Sequence, residues 1–128
     1  MSAMANSRKG KTGLRRLWKA FFYTAAGLSA AARHEDAFRQ ELLLAAVLGP
    51  IALLLPVALI AKALLIASLF AVLIAELLNS AVEATVDRVS LERHPLAGRA
   101  KDYGSAAVFL SLANLVIVWG LVLFPLLT

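Results

Sequence analysis

Four polar residues between positions 76 and 87 stand at spacings that bring them together: Glu76, Asn79, Glu83 and Asp87 lie at i, i+3, i+7 and i+11. On an α-helix turning by about 100° per residue they fall within an arc of about 80° and form one acidic stripe over three turns. Two carboxylates two turns apart with an amide between them are hard oxygen donors, the set that holds Mg²⁺ through one or two carboxylates together with substrate phosphates. Glu76, at the apolar end of the stripe, is partly desolvated and suited to general-base work near neutral pH. Metal ligand and base are thus separable roles on one face. The same carboxylates could instead pair with Lys101, Arg88 or Arg99 and lock helices together.

A second acidic patch, Glu35, Asp36 and Glu41, precedes the first apolar run. Glu35 could complete a metal site, or the patch could be the wet face of an interfacial helix. Lys101 and Asp102 stand just before Gly104 and Ser105, and a lysine near a helix start can meet phosphate oxygens together with free backbone N–H groups. A Walker-type glycine-rich loop is absent, which excludes a soluble P-loop kinase mechanism. His34 and His94 are the only histidines, too far apart for a zinc site, and read as hydrogen-bonding loop residues. Ser80, Ser105 and Ser111 lack a base at any nucleophile spacing and read as helix-packing polar groups. With no cysteine, disulfides, thiolate metal sites and cysteine nucleophiles are excluded.

The elements that must position these residues are membrane helices. The 128-residue chain is 61% hydrophobic and 16% charged, which excludes both an ordinary soluble globule and a disordered chain. No charge occurs from Leu42 to Ala61, long enough for a first span, with a kink or early end near Pro56 because of Gly49, Pro50 and Pro56. Lys62 breaks the run, and residues 63–86 form a second span after a tight turn. Tyr103 to Thr128 is uncharged and gives a third span over 103–127, with Trp119 placed as an interfacial aromatic. Residues 14–41 mix Leu17, Trp18, Phe21 and Phe22 with Arg15, Arg16 and Lys19, and read as an amphipathic surface helix interrupted near Gly27 and preceded by a flexible basic tail, 1–13. No removable signal peptide is expected.

Eight Lys or Arg precede Leu42 and four more lie in the loop 87–102, whereas the other side holds only Lys62. The positive-inside rule then puts the N-terminus and that loop in the cytoplasm and the C-terminus outside. Topology accounts for the net charge of +5, so no nucleic-acid partner is expected. The fold expected is all-α and integral to the membrane, as one domain spanning 1–128.

The string Glu76-Leu-Leu-Asn79-Ser-Ala-Val-Glu83-Ala-Thr-Val-Asp87-Arg88, followed by His94 and by Gly98-Arg99-Ala100-Lys101-Asp102-Tyr-Gly104-Ser105-Ala106-Ala107, resembles the prokaryotic diacylglycerol kinase family. The likeness extends back to Glu35-Asp36-Ala37-Phe38-Arg39-Gln40-Glu41 and covers nearly all the chain beyond the first dozen residues. It implies a homotrimeric inner-membrane enzyme with three spans and a surface helix per subunit. The reaction implied is transfer of the γ-phosphate of MgATP to diacylglycerol, giving phosphatidic acid, as in membrane phospholipid recycling. Glu76 matches the catalytic base, Glu35 and Glu83 the metal ligands, Asn79 a polar active-site residue and Asp87 one at its edge. Arg16, Tyr23, Glu35, Glu83, Glu92, Arg93, His94, Lys101 and Asp102 fall where the family contacts ATP. Arg16, Glu41, Glu76, Ser105 and Trp119 fall where it contacts lipid. The chain departs from the pattern at Ala31-Ala32-Arg33-His34, where relatives often carry a tryptophan and an asparagine, and at Pro50 and Pro56.

Three other readings compete. The same constellation could phosphorylate undecaprenol, although Gly104-Ser105-Ala106-Ala107 favours diacylglycerol. A small transporter would use an intramembrane Glu to relay protons or bind a cation, without ATP and without need of Lys101 and Asp102. A structural membrane-surface protein would tolerate Glu76→Gln.

Overall fold

The computed structural model describes residues 2–89 and 94–128, with side chains from residue 13 onward. Its described elements are four helices: α1 (Ser2–His34), α2 (Asp36–Leu54), α3 (Leu59–Val89) and α4 (Pro95–Leu127). The helix α1, through Glu35, forms one compact unit, and the rest of the chain forms another.

In the first unit, α1 runs unbroken from Ser2, where a tail to residue 13 and an interruption at Gly27 were expected. One mid-helix glycine costs only about 1 kcal/mol relative to alanine, and alanines flank Gly27 closely on both sides. The helix also ends earlier than the sequence suggested, at His34 instead of Glu41, with the Glu35 N–H donating to Ala31 O at 2.9 Å to close its last turn. Trp18 and Phe22, one turn apart, meet edge-to-face with centroids at 5.3 Å.

In the second unit, Asp36 opens α2, where a carboxylate favours the positive end of the helix dipole, and it pairs with Arg39 one turn on. Pro50 lies inside α2, but the helix stops at Leu54, so the expected early end falls just before Pro56. A residue preceding proline is driven out of the α region, which ends the helix there. Lys62 closes the connection by donating from Nζ to the carbonyl of Leu53 at 2.7 Å, satisfying a helix-end acceptor with a cation. Helix α3 therefore begins ahead of Lys62 and extends past residue 86 to Val89. Helix α4 begins at Pro95, eight residues before the uncharged run, so much of the expected loop is helical. Its N-cap is His94, whose Nδ1 accepts from Leu96 N at 3.1 Å, with Pro95 in the first helical turn where its missing N–H costs nothing.

The three helices α2, α3 and α4 are each long and apolar enough to cross a membrane. Helix α3 is central and packs along both α2 and α4. Its inward residues Leu65, Leu69 and Val72 meet Ala52 from α2 and Leu115 and Trp119 from α4. Trp119 is 8% exposed and donates from Nε1 to Ser68 Oγ at 3.1 Å, while Ser68 Oγ donates to Leu65 O at 2.6 Å. The indole thus belongs to the core of this chain and not to the interfacial position the sequence suggested. Its polar edge is satisfied inside the bundle.

Candidate active site

Further along α3 the apolar packing gives way to the acidic stripe. Glu76 is buried, at 6% exposure, whereas Glu83 and Asp87 are exposed. The gradient follows the sequence reading, with the stripe running from the interior of the bundle to its wet end. Across from Glu76 stands Glu41 of α2, the two carboxyl groups close enough to interact. Glu41 Oε2 and Asn79 Oδ1 are buried acceptors without a hydrogen-bond partner. Buried polar atoms are normally paired, and an acceptor left open at such a place suits a hydroxyl, a water or a hard cation.

Asn79 donates from Nδ2 to Glu83 Oε1 at 3.4 Å, coupling the middle of the stripe to its exposed half. Asp87 accepts from Lys101 Nζ at 2.7 Å, an ion pair joining the C-terminal part of α3 to the N-terminal part of α4 with both side chains about half exposed. An exposed pair of this kind adds little to stability, so its value lies in where it holds the ammonium. Because α4 begins at Pro95, Lys101 stands in its second turn and not at the helix start. The N-terminal N–H groups belong instead to the turn capped by His94. Asp102 and Ser105 are exposed on α4.

Glu41, Glu76, Asn79, Glu83, Asp87 and Lys101 are therefore brought to one end of the α2–α3–α4 unit. Trp119 is not among them, since its ring is closed in the core around Ser68. Arg16, Tyr23 and Glu35 belong to the first unit; Arg16 and Tyr23 are exposed and Glu35 is partly buried. Glu92 and Arg93 lie outside the described residues. The contact between Glu41 and Glu76 escaped the sequence reading, although both lie roughly four to five helical turns from the α2–α3 connection, which an antiparallel hairpin brings level.

The donor set fits Mg²⁺. Glu83 offers an exposed carboxylate and Asn79 an unpartnered oxygen on the same face. No group of three or more His, Asp or Glu forms a full cage among the described residues, as expected of an ion that takes one or two carboxylates and completes its shell with phosphate and water.

The sequence profile of the prokaryotic diacylglycerol kinase family matches residues 22–123. This chain belongs to the prokaryotic diacylglycerol kinase family. It is 56% identical over 115 residues to a diacylglycerol kinase of Pseudomonas aeruginosa, covering 90% of this chain and 94% of that one. A diacylglycerol kinase of Haemophilus influenzae is 49% identical over 113 residues, 88% of this chain and 96% of its own length. One from Escherichia coli strain K12 is 48% identical over 124 residues, 94% and 97% of the two chains. Membership makes the chain an enzyme, and the match covers the stripe, the Glu41 position and the start of α4 together.

Proposed function

We propose that the chain transfers the γ-phosphate of ATP to the free hydroxyl of diacylglycerol, yielding phosphatidic acid and ADP. The observation that carries this reading is the acidic stripe of α3, buried at Glu76 and exposed at Glu83 and Asp87, in a chain of this family. Such a stripe spans the boundary that a lipid alcohol and a water-soluble nucleotide must share.

Glu76 accepts the proton of the acceptor hydroxyl as its oxygen attacks the γ-phosphorus, and ADP departs on the opposite side. Glu41, across from Glu76, offers its own open oxygen to the lipid headgroup. Lys101, set by Asp87, supplies positive charge to the transferring phosphoryl group. Glu83 and Asn79 are the residues of this unit that would hold Mg²⁺, and that ion would neutralise charge on the nucleotide phosphates; Glu35 matches a metal ligand of the family by the resemblance alone. By the same resemblance alone, Arg16, Tyr23, Glu92, Arg93, His94 and Asp102 match ATP contacts of the family and Arg16 and Ser105 match lipid contacts, whereas Trp119, closed in the core, is left out of the lipid set. Positioning supplies most of the rate.

The assembly that accompanies this reading is a homotrimer in the bacterial inner membrane, with the N-terminus cytoplasmic and the C-terminus periplasmic. The asymmetry of Lys and Arg between the two sides supports the orientation. The trimer follows from the resemblance, and Asn114, a polar side chain exposed partway along the apolar α4, is one that contact with another copy could satisfy.

The test is transfer from labelled MgATP to dioleoylglycerol and, in parallel, undecaprenol in mixed micelles, for the wild type and Glu76→Gln. Transfer to diacylglycerol that the substitution abolishes is the expected result. Transfer mainly to the polyprenol would change the acceptor, and transfer to neither would return the transporter reading.

A further inference from the structure

Gly104 stands on α4 opposite Asn79 of α3. A Cβ built on Gly104 would collide with Asn79 Oδ1 and lie 3.2 Å from Asn79 Cγ, but 3.6 Å from Asn79 Cα. The last distance is an ordinary van der Waals contact. The backbones of the two helices would therefore accept a methyl group, and the obstacle is the Asn79 carboxamide alone.

The orientation of that carboxamide is fixed by its other end. The oxygens of an ionised carboxylate only accept, so the end of Asn79 facing Glu83 Oε1 must be the donor, Nδ2. Oδ1 is then directed to the α4 side, where it is buried and has no partner. An unpaired buried acceptor is unfavourable, so this arrangement persists only where the surroundings leave it space and little alternative. Each of the other glycines from Gly13 onward has open space where a Cβ would stand; Gly104 is distinct among them.

We propose that Gly104 is a positioning residue for phosphoryl transfer: its missing side chain is the space in which the Asn79 carboxamide sits, with Oδ1 buried against α4 and Nδ2 held on Glu83. A methyl group there would push the carboxamide into another rotamer and release Glu83. The fold would keep its helix spacing while the polar groups between Glu76 and Glu83 lost their register. This inference rests on the diacylglycerol kinase reading.

The experiment compares wild type, Gly104→Ala, Asn79→Ala and the double variant for kcat, for KM toward dioleoylglycerol and MgATP, and for thermal unfolding in detergent. Gly104→Ala is expected to lower kcat about tenfold or more while KM for dioleoylglycerol stays within about twofold, because orientation is lost and lipid binding is not. In the Asn79→Ala background the same substitution is expected to change kcat by less than about twofold, since nothing remains for the methyl group to displace. An equal loss in both backgrounds would make Gly104 a helix-packing residue and overturn the proposal, as would unchanged kcat in Gly104→Ala. If Asn79→Ala has no measurable turnover, unfolding decides. A drop in Tm on adding the methyl group that occurs only when Asn79 is present supports the proposal, and an equal drop, or none, in both backgrounds overturns it. Failure of the wild type to phosphorylate diacylglycerol would instead remove the functional reading, and the unfolding comparison would still test the space shared by Gly104 and Asn79.

Discussion

The α3–α4 interface holds two polar contacts of opposite character. At Ser68 and Trp119 every polar atom has a partner: the indole donates to the serine hydroxyl, which donates to a backbone carbonyl, and apolar residues surround them. At Asn79 and Gly104 the helices also meet, yet a carbonyl oxygen is buried with no donor, and Glu41 repeats the pattern. A satisfied buried pair specifies packing, whereas an unsatisfied one stores free energy that a ligand can recover. The difference separates a contact that keeps the fold from one to which the proposed function assigns the reactants.

That division predicts which substitutions change rate and which change stability. The largest effect is expected from Glu76→Gln, which keeps the side-chain volume and the contact with Glu41 but removes the base; turnover should fall by about 10²–10⁴-fold, with unfolding in detergent little altered. If that variant unfolds instead, Glu76 belongs to the structural class and the comparison breaks. Next comes Lys101→Met, expected to lower kcat/KM for MgATP by about tenfold to a hundredfold, with KM for the lipid nearly unchanged. Its partner variant Asp87→Asn should produce a smaller loss in the same parameter, because the ammonium remains but is no longer held.

At the other contact the signs reverse. Ser68→Ala leaves the Trp119 N–H buried without an acceptor and should reduce stability by about 1–2 kcal/mol with kcat preserved, read by thermal unfolding beside a turnover assay. A loss of kcat without a loss of stability would erase the distinction between the two contacts. Lys62→Met should have the smallest effect, about 0.3–1 kcal/mol, through the Leu53 carbonyl that loses its cation, and no effect on turnover at saturating substrate.

Much of this was legible in the sequence. Uncharged runs gave the spans, and the periodicity from Glu76 to Asp87 gave the stripe with its buried and exposed ends, because both depend on spacing along one helix. The partners across helices were not legible in the same way. Glu41 against Glu76, Asn79 against Gly104 and Ser68 against Trp119 depend on the register of two hairpins, which no local pattern states. Even so, 79 with 104 and 68 with 119 are nearly equidistant from the α3–α4 connection, so fixing one pair fixes the other. Trp119 was assigned to the interface because aromatic residues near span ends often lie there; the hydroxyl of Ser68, one helix away, gives its N–H a home in the core. The continuity of α1 was missed because Gly27 was weighted above the alanines around it.

The Lys62 clasp on the end of α2 ties an ammonium to the tip of the α2–α3 hairpin, and an ammonium stays with water at the headgroup layer. Between Leu53, which that ammonium caps, and Glu41, α2 places twelve residues, about 18 Å. Helix α4, with 33 residues or about 50 Å, has length to spare and can absorb a thicker or thinner bilayer by tilting. With the tip held at the headgroup layer, a change in membrane thickness would act through the shorter helix and move the depth of Glu41.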